Sequence, residues 1–313
     1  MLPDEVTTRL AGYDVRCWRG DGAVPREVLE EEVAAARGLL TMLTDTVDAP
    51  LLDLATRLRV VSQMAVGVDN IDVGECHRRG IEVGHTPDVL TETVADSAFA
   101  LLASVVRRLP EGERDVRSGR WGEWRPFHLA GGDLHGTVLG IVGMGRIGRA
   151  VSRRAAGFDM EVIYSSPRPV DVAAERVQLQ ELLRRADHVV LCTSLVPATR
   201  HLISEPELRS MKPGAYLVNV SRGPVIDTDA LVAVLEDGRL GGVALDVTDP
   251  EPLPPGHPLL RFDNVLVVPH IASASVRTRT AMAMLAVDNL VAGVEGEPLP
   301  APVPPGGLAN ESD

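Results

Sequence analysis

The stretch NVLVVPHIAS, residues 264–273, runs through four apolar residues, stops at Pro269 and presents His270. An imidazole set at the end of a buried strand is either a packing residue or a proton donor. Two other segments bear on the choice. In NVSRGPVID, residues 219–227, Arg222 follows directly on an apolar run. A guanidinium fork there suits a carboxylate bidentately, although a lone loop arginine is more often a surface charge. In DVTDPEPLPPGHP, residues 246–258, Asp246 and Glu251 stand in a proline-stiffened loop. A carboxylate in such a loop can orient an imidazole and favour its protonated form, which a general acid needs.

A fourth segment, GMGRIG, sets glycines at 143, 145 and 148 between an apolar run and a helical pattern. A G-x-G-x-x-G alone is a weak signal, and a ligand-free tight turn is the bland explanation. Between strand and helix it is the dinucleotide fingerprint, where glycines let backbone approach a pyrophosphate at a helix N-terminus. The following apolar run then distinguishes the cofactors. NAD-binding units carry an Asp or Glu about 20 residues on, for the ribose 2′-hydroxyl. Here that run ends Tyr164-Ser165-Ser166-Pro167-Arg168, without a carboxylate. Two hydroxyls and an arginine suit a 2′-phosphate, so NADP(H) is favoured and NAD(H) is the alternative.

These residues need elements that hold them at one edge. TVLGIVG, MEVIYSS, HVVLCTS, AYLVNVS, GGVALDV and NVLVVPH read as strands, and GRAVSRRAAGF, LQELLRRA and DALVAVLEDGRL as helices between them. Apolar runs without strict alternation, separated by helices, predict a parallel sheet covered on both faces. The first 85 residues repeat the pattern in miniature, with strands in GLLTML, LRVVSQM and IEVGHT and a helix from Pro25. TVADSAFALLASVVRRL predicts a long helix. Residues 111–136, charged and holding Trp121 and Trp124, show no core face, which suits contact with a partner. The Pro/Gly-rich tail from Glu297 onward is expected to fray.

Composition narrows the class further. A chain of 313 residues suits two domains, and with 45% hydrophobic but only 3% aromatic residues its cores rest on Ala, Val and Leu. A net charge of −13 argues against nucleic-acid binding. Cys17, Cys76 and Cys192 match neither a disulfide framework nor a metal site. No run approaches the roughly 18 apolar residues of a membrane span, and MLPDEVTTRL has no secretory pattern. The expectation is a cytoplasmic protein.

Taken in order and spacing, GMGRIG, NVSRG, LDVTDPEPLPPGHPLL and VVPHIASAS resemble the D-isomer-specific 2-hydroxyacid dehydrogenases. SQMAVGVDNIDV, HTPDVLTETVAD and AVDNLVAGVEGEPLP resemble their glyoxylate/hydroxypyruvate reductase branch. The resemblance spans nearly the whole chain. It implies an α/β fold of two doubly wound domains, a Rossmann-type cofactor domain (86–273) inserted into a flavodoxin-like substrate domain (1–85 with 274–313), and the active site between them. Residues 109–136 would be a homodimerisation arm.

By matching position, the resemblance implies that Arg222 binds the carboxylate of a small 2-oxo acid, that His270 is the general acid, and that Glu251 is its partner. Val66 and Gly67 would offer backbone N–H groups, and Ser273 would touch substrate or cofactor. Thr93, Arg146, Ile147, Ser194, Val220, Asp246 and Ala272 would line the cofactor along with the glycines, Ser165, Ser166 and Arg168. An arm tryptophan, Trp121 or Trp124, would reach the partner's site and help choose substrate.

The pattern departs from the family in one place. Members open with a strand of the KVFVTR kind, whereas this chain opens at LPDEVTTRLAG. Either the start codon lies upstream or the substrate domain lacks a strand. Another 2-hydroxyacid dehydrogenase, a phosphite dehydrogenase sharing Arg, Glu and His, and a nucleotide-sensing co-repressor are the competing functions.

Overall fold

Strands this short and apolar are stable only where helices cover both faces of the sheet, and this arrangement recurs twice. The computed structural model describes residues 4–308. Residues up to Leu90, together with those from Ala274 onward, form one unit, and Thr91–Ser273 form the other. The first division therefore falls at Leu90 rather than at residue 85.

The smaller unit holds β1 (Gly38–Thr41), β2 (Val60–Gln63) and β3 (Glu82–Gly84), parallel and in that order. Among the described residues no strand precedes β1. Asp4–Arg9 is instead a helix, and its Val6 is buried in a cluster with Ala283, Val287 and Val291. Those three lie on the helix Val276–Glu295, which crosses the sheet closely. A Cβ on Gly293 would stand 2.4 Å from the Val60 side chain, and Ser62 donates its hydroxyl to the Ala286 carbonyl at 2.6 Å.

The tail does not fray where the proline and glycine content suggested. Leu299, Ala301 and Val303 are all buried. Val303 N–H donates to the Val83 carbonyl at 2.7 Å and His85 N–H to the Ala301 carbonyl at 3.1 Å. Asn289, fully buried, completes the attachment. Its Nδ2 donates to the His85 carbonyl and its Oδ1 accepts from Ala301 N–H, both at 2.9 Å. The end of the expected tail, 309–313, lies outside the described residues, as do residues 1–3.

The larger unit carries β4 (Val138–Val142), β5 (Glu161–Ser165), β6 (Glu175–Arg176), β7 (His188–Leu191), β8 (Tyr216–Asn219), β9 (Gly242–Leu245) and β10 (Val265–Val267). All pair in parallel, in the order β10-β9-β8-β7-β4-β5-β6. The chain winds outward from β4 to β6, then returns to β7 on the other side of β4. This reversal opens a crevice at the strand ends, where doubly wound sheets bind ligands. Helices Thr91–Val106, Arg146–Ala155, Leu179–Arg185 and Thr228–Glu236 cover the faces.

The segment after Val106 is more ordered than its composition implied. Leu109–Arg117 is a helix, anchored by a bidentate ion pair from Arg108 to the buried Glu111 at 2.8 and 2.6 Å. Beyond it Trp121, Trp124 and Phe127 are exposed.

Replacing Asn289 by Ala removes both of these buried hydrogen bonds, a loss of about 2 kcal/mol or more. The expected outcome is a lower urea midpoint, with faster amide exchange at Ala301 and Val303 and none at β4. Hydrogen exchange followed by mass spectrometry checks it.

Candidate active site

The three glycines after β4 have three different physical reasons. Gly143 takes φ +95 to turn the chain, and a Cβ on it would stand 2.8 Å from the Cys192–Thr193 backbone at the end of β7. Gly148 packs the helix on the turn, since its Cβ would meet the Gly143 carbonyl at 2.1 Å. Gly145 has nothing within 4 Å of its Cβ direction and caps the helix Arg146–Ala155 without a side-chain bond. First-turn N–H groups of a helix have no partner within the helix. Open space above them, at the crevice, accommodates a pyrophosphate. The chain thus fits a dinucleotide here. Arg146 and Ile147 open this helix, and Thr93 sits near the start of Thr91–Val106.

β5 ends beside this turn, where the Ser165 carbonyl accepts from Gly143 N–H at 2.9 Å. The shape of the Ser165–Arg168 turn comes from a residue that motif reading passes over. From β6, Arg176 donates to the Ser166 carbonyl at 3.1 and 3.0 Å and to the Pro167 carbonyl at 2.8 Å. Arg168 is exposed and has no ion-pair partner among the described residues.

β8 delivers Arg222 through a turn built on Asn219. The Asn219 Oδ1 accepts from the Ser221 N–H at 2.9 Å and from its hydroxyl at 2.7 Å, while Nδ2 donates to the Arg222 carbonyl at 2.8 Å. Gly223 then passes so close to the loop after β9 that a Cβ would stand 1.9 Å from the Thr248 carbonyl. Thr228 donates its hydroxyl to the Asp249 carbonyl at 2.9 Å, joining the two loops again. Arg222 is half-buried.

On the far side of that contact, Thr248 N–H donates to Glu251 Oε2 at 3.2 Å, and Glu251 Oε1 meets His270 Nδ1 at 2.7 Å. Burial alone would raise the Glu251 carboxyl. The hydrogen bond and charge of His270, the Thr248 N–H and the Arg222 charge together hold it below the ordinary glutamate range. Because Glu251 takes Nδ1, Nε2 is the ring nitrogen turned away from the carboxylate. The pair keeps partial access to solvent, with side-chain exposures of 25% for His270 and 40% for Glu251.

Asp246, at the end of β9, is 2% exposed and gives its carboxylate to the N–H groups of Ile271 and Ala272. Burial pushes this carboxyl above its usual range, against the pull of those two N–H groups and of His270.

Arg222, Asp246, Glu251 and His270 thus stand at the carboxyl ends of adjacent strands, with the glycine turn on the same sheet. Val220 is buried just after β8, Ser194 is exposed after β7, and Ala272 and Ser273 are buried after His270. Val66 and Gly67 belong to the smaller unit, in the turn after β2, where the Val66 carbonyl meets His85 Nδ1 at 2.9 Å. Sequence reasoning missed Asn219, Thr248 and Arg176; the first two sat inside quoted motifs and Arg176 sat in none. Among the described residues no group of three His, Cys, Asp or Glu is set to hold a metal ion, and no helix is long and apolar enough to cross a membrane.

Comparison with known proteins bears on the fold and the family. Residues 99–272 match the model of the D-isomer specific 2-hydroxyacid dehydrogenase NAD-binding domain. The human glyoxylate reductase/hydroxypyruvate reductase is 44% identical over 300 residues, 94% of this chain and 92% of that protein. The crystal structure of the TT0316 protein from Thermus thermophilus superposes with a TM-score of 0.93 at 46% identity, covering 97% of this chain and 98% of that one. An NADPH-dependent glyoxylate/hydroxypyruvate reductase from Sinorhizobium meliloti, crystallised with NADP and malonate, has a TM-score of 0.82 at 36% identity, covering 88% and 86%. With its glycine turn, its Glu251–His270 pair and these relatives, the chain belongs to the D-isomer-specific 2-hydroxyacid dehydrogenases, in their glyoxylate reductase branch, and is an NAD(P)-dependent oxidoreductase.

Proposed function

We propose that the protein reduces a small 2-oxo acid, with glyoxylate and hydroxypyruvate first, to the D-2-hydroxy acid, and that it favours NADP(H). The observation that carries this reading is the 2.7 Å Glu251–His270 pair beside Arg222. The names of the relatives supply the substrate class.

A bound nicotinamide dinucleotide would supply the hydride. Gly143, Gly145, Gly148, Arg146 and Ile147 would hold its pyrophosphate, with Thr93, Ser194, Val220 and Ala272 lining the remainder. Arg222 anchors the substrate carboxylate through its fork, and the Ser273 hydroxyl adds a further polar contact. Anchoring at one end limits how the carbonyl can turn, which converts an encounter into an oriented reaction. His270 gives its proton to the carbonyl oxygen as negative charge develops there, and Glu251 holds the ring orientation and stabilises the charged imidazole. Preference for NADP(H) rests on the exposed Arg168 and the serines before it, at a strand end that lacks a carboxylate. The protein is further proposed to be a cytoplasmic homodimer, whose association would cover the exposed Trp121, Trp124 and Phe127 of the arm.

Loss of reduced-cofactor absorbance with NADPH or NADH, on hydroxypyruvate, glyoxylate and pyruvate, tests the reading directly. Rapid oxidation of NADPH with the first two is expected. Preference for NADH removes the cofactor assignment, and turnover of phosphite but of no acid replaces the reaction. His270→Ala is expected to lose about 10²–10⁴-fold in kcat while cofactor binding, followed by fluorescence, stays intact. Arg168→Ala is expected to lower kcat/KM for NADPH about tenfold and to leave that for NADH unchanged, as for one charge-assisted contact.

A further inference from the structure

His270 holds its backbone in the left-handed region, at φ +53. A residue with a Cβ enters this region at a cost and stays only where its surroundings over-determine it. Here the surroundings act on His270 and the two residues after it. The His270 N–H is shared between the carbonyls of Asp246 at 2.9 Å and Val268 at 3.0 Å. Asp246 Oδ1 accepts from the Ile271 N–H at 2.7 Å and the Ala272 N–H at 3.0 Å, and Oδ2 accepts from Ala272 at 3.1 Å. From the opposite side, helix Thr91–Val106 brings the Ser97 hydroxyl to the Ala272 carbonyl at 2.8 Å.

The peptide groups on both sides of Ala272 are therefore held by two elements far apart in sequence. Neither choice is explained by packing alone. Ser97 stands among Ala95, Ala98, Phe99, Leu101 and Leu102, all buried. An alanine at 97 would suit the helix better. A carboxylate as buried as Asp246 is costly unless hydrogen-bonded, and its bonds go to the backbone beside His270.

We infer that Ser97 and Asp246 are positioning residues for His270, a two-sided clamp that sets the imidazole against Glu251. This rests on the reading of His270 as the proton donor. The clamp predicts that loosening either side lets the ring leave Glu251 while the fold and the glycine turn persist.

The ring ¹⁵N shifts of His270, which report tautomer and hydrogen bonding without any substrate, are measured in wild type, Ser97→Ala, Ser97→Thr and Asp246→Asn, with Glu251→Gln as the reference for a lost pair. Steady-state kinetics and melting temperature are recorded for the same variants. Ser97→Ala is expected to move the shifts toward the Glu251→Gln reference and to lower kcat about fivefold, as for one hydrogen bond. KM for the cofactor should hold. Ser97→Thr, which keeps a hydroxyl, restores both readouts. Asp246→Asn turns an amide donor against the Ala272 N–H and is expected to lower kcat about a hundredfold, as misplacement of a reacting group does. Unchanged ¹⁵N shifts in both Ser97→Ala and Asp246→Asn overturn the clamp. So does a fall in kcat that tracks melting temperature and is not restored by Ser97→Thr. Shifted ring signals in a protein that reduces no 2-oxo acid uphold the clamp and remove the proposed reaction.

Discussion

No side chain fits between residue 223 and the Thr248 carbonyl, and the loops at the carboxyl end of the sheet depend on that contact. It brings the loop leaving β8 against the loop leaving β9 backbone to backbone. Arg222 lies on one side of the contact and Glu251 a few residues beyond the other, so the positive charge of one reaches the carboxylate of the next. Steric exclusion at one glycine thereby becomes electrostatics at the site. The Thr228 hydroxyl then joins the two loops again, and the Asn219 side chain fixes the turn of the first of them.

The sheet makes this economy possible. Parallel strands all end at the same edge, so loops that are remote in sequence meet without a long detour, and a reversal of strand order leaves room between β4 and β7. The glycine turn occupies that reversal, while the Glu251–His270 pair grows from the strands β9 and β10. In the proposed function two chemistries share one edge, the binding of a phosphate chain by backbone and the handling of a proton by side chains, and they are built from different strands.

Much of this was legible in the residues. GMGRIG is readable because each glycine answers a local demand, and a turn demand shows in composition. His270 is readable because Pro269 ends the strand just before it. The role of Asp246 is hidden because its partners, the N–H groups of Ile271 and Ala272, are backbone atoms that every residue but proline has. Ser97 and Arg176 are hidden for the same reason, since each acts on a carbonyl. The tail was misread because proline and glycine speak of loops, yet Leu299, Ala301 and Val303 alternate at a period of two and bury against the smaller unit. The helix at 109–117 escaped notice because its buried member is a glutamate held by an arginine instead of an apolar residue.

The docking of that tail also sets a sequence in time. The smaller unit draws its long helix and its last buried residues from beyond Ala274, whereas the larger unit is made of one uninterrupted run, Thr91–Ser273. A ribosome delivers the chain from its N-terminus, and domains fold as units as they emerge. The larger unit has all its strands while the smaller still lacks the helix that covers β1 and β2. During synthesis the early segment must therefore wait, its apolar sheet face uncovered, until the helix Val276–Glu295 is made. It is the stage at which a nascent chain of this design is most exposed to aggregation and to chaperones.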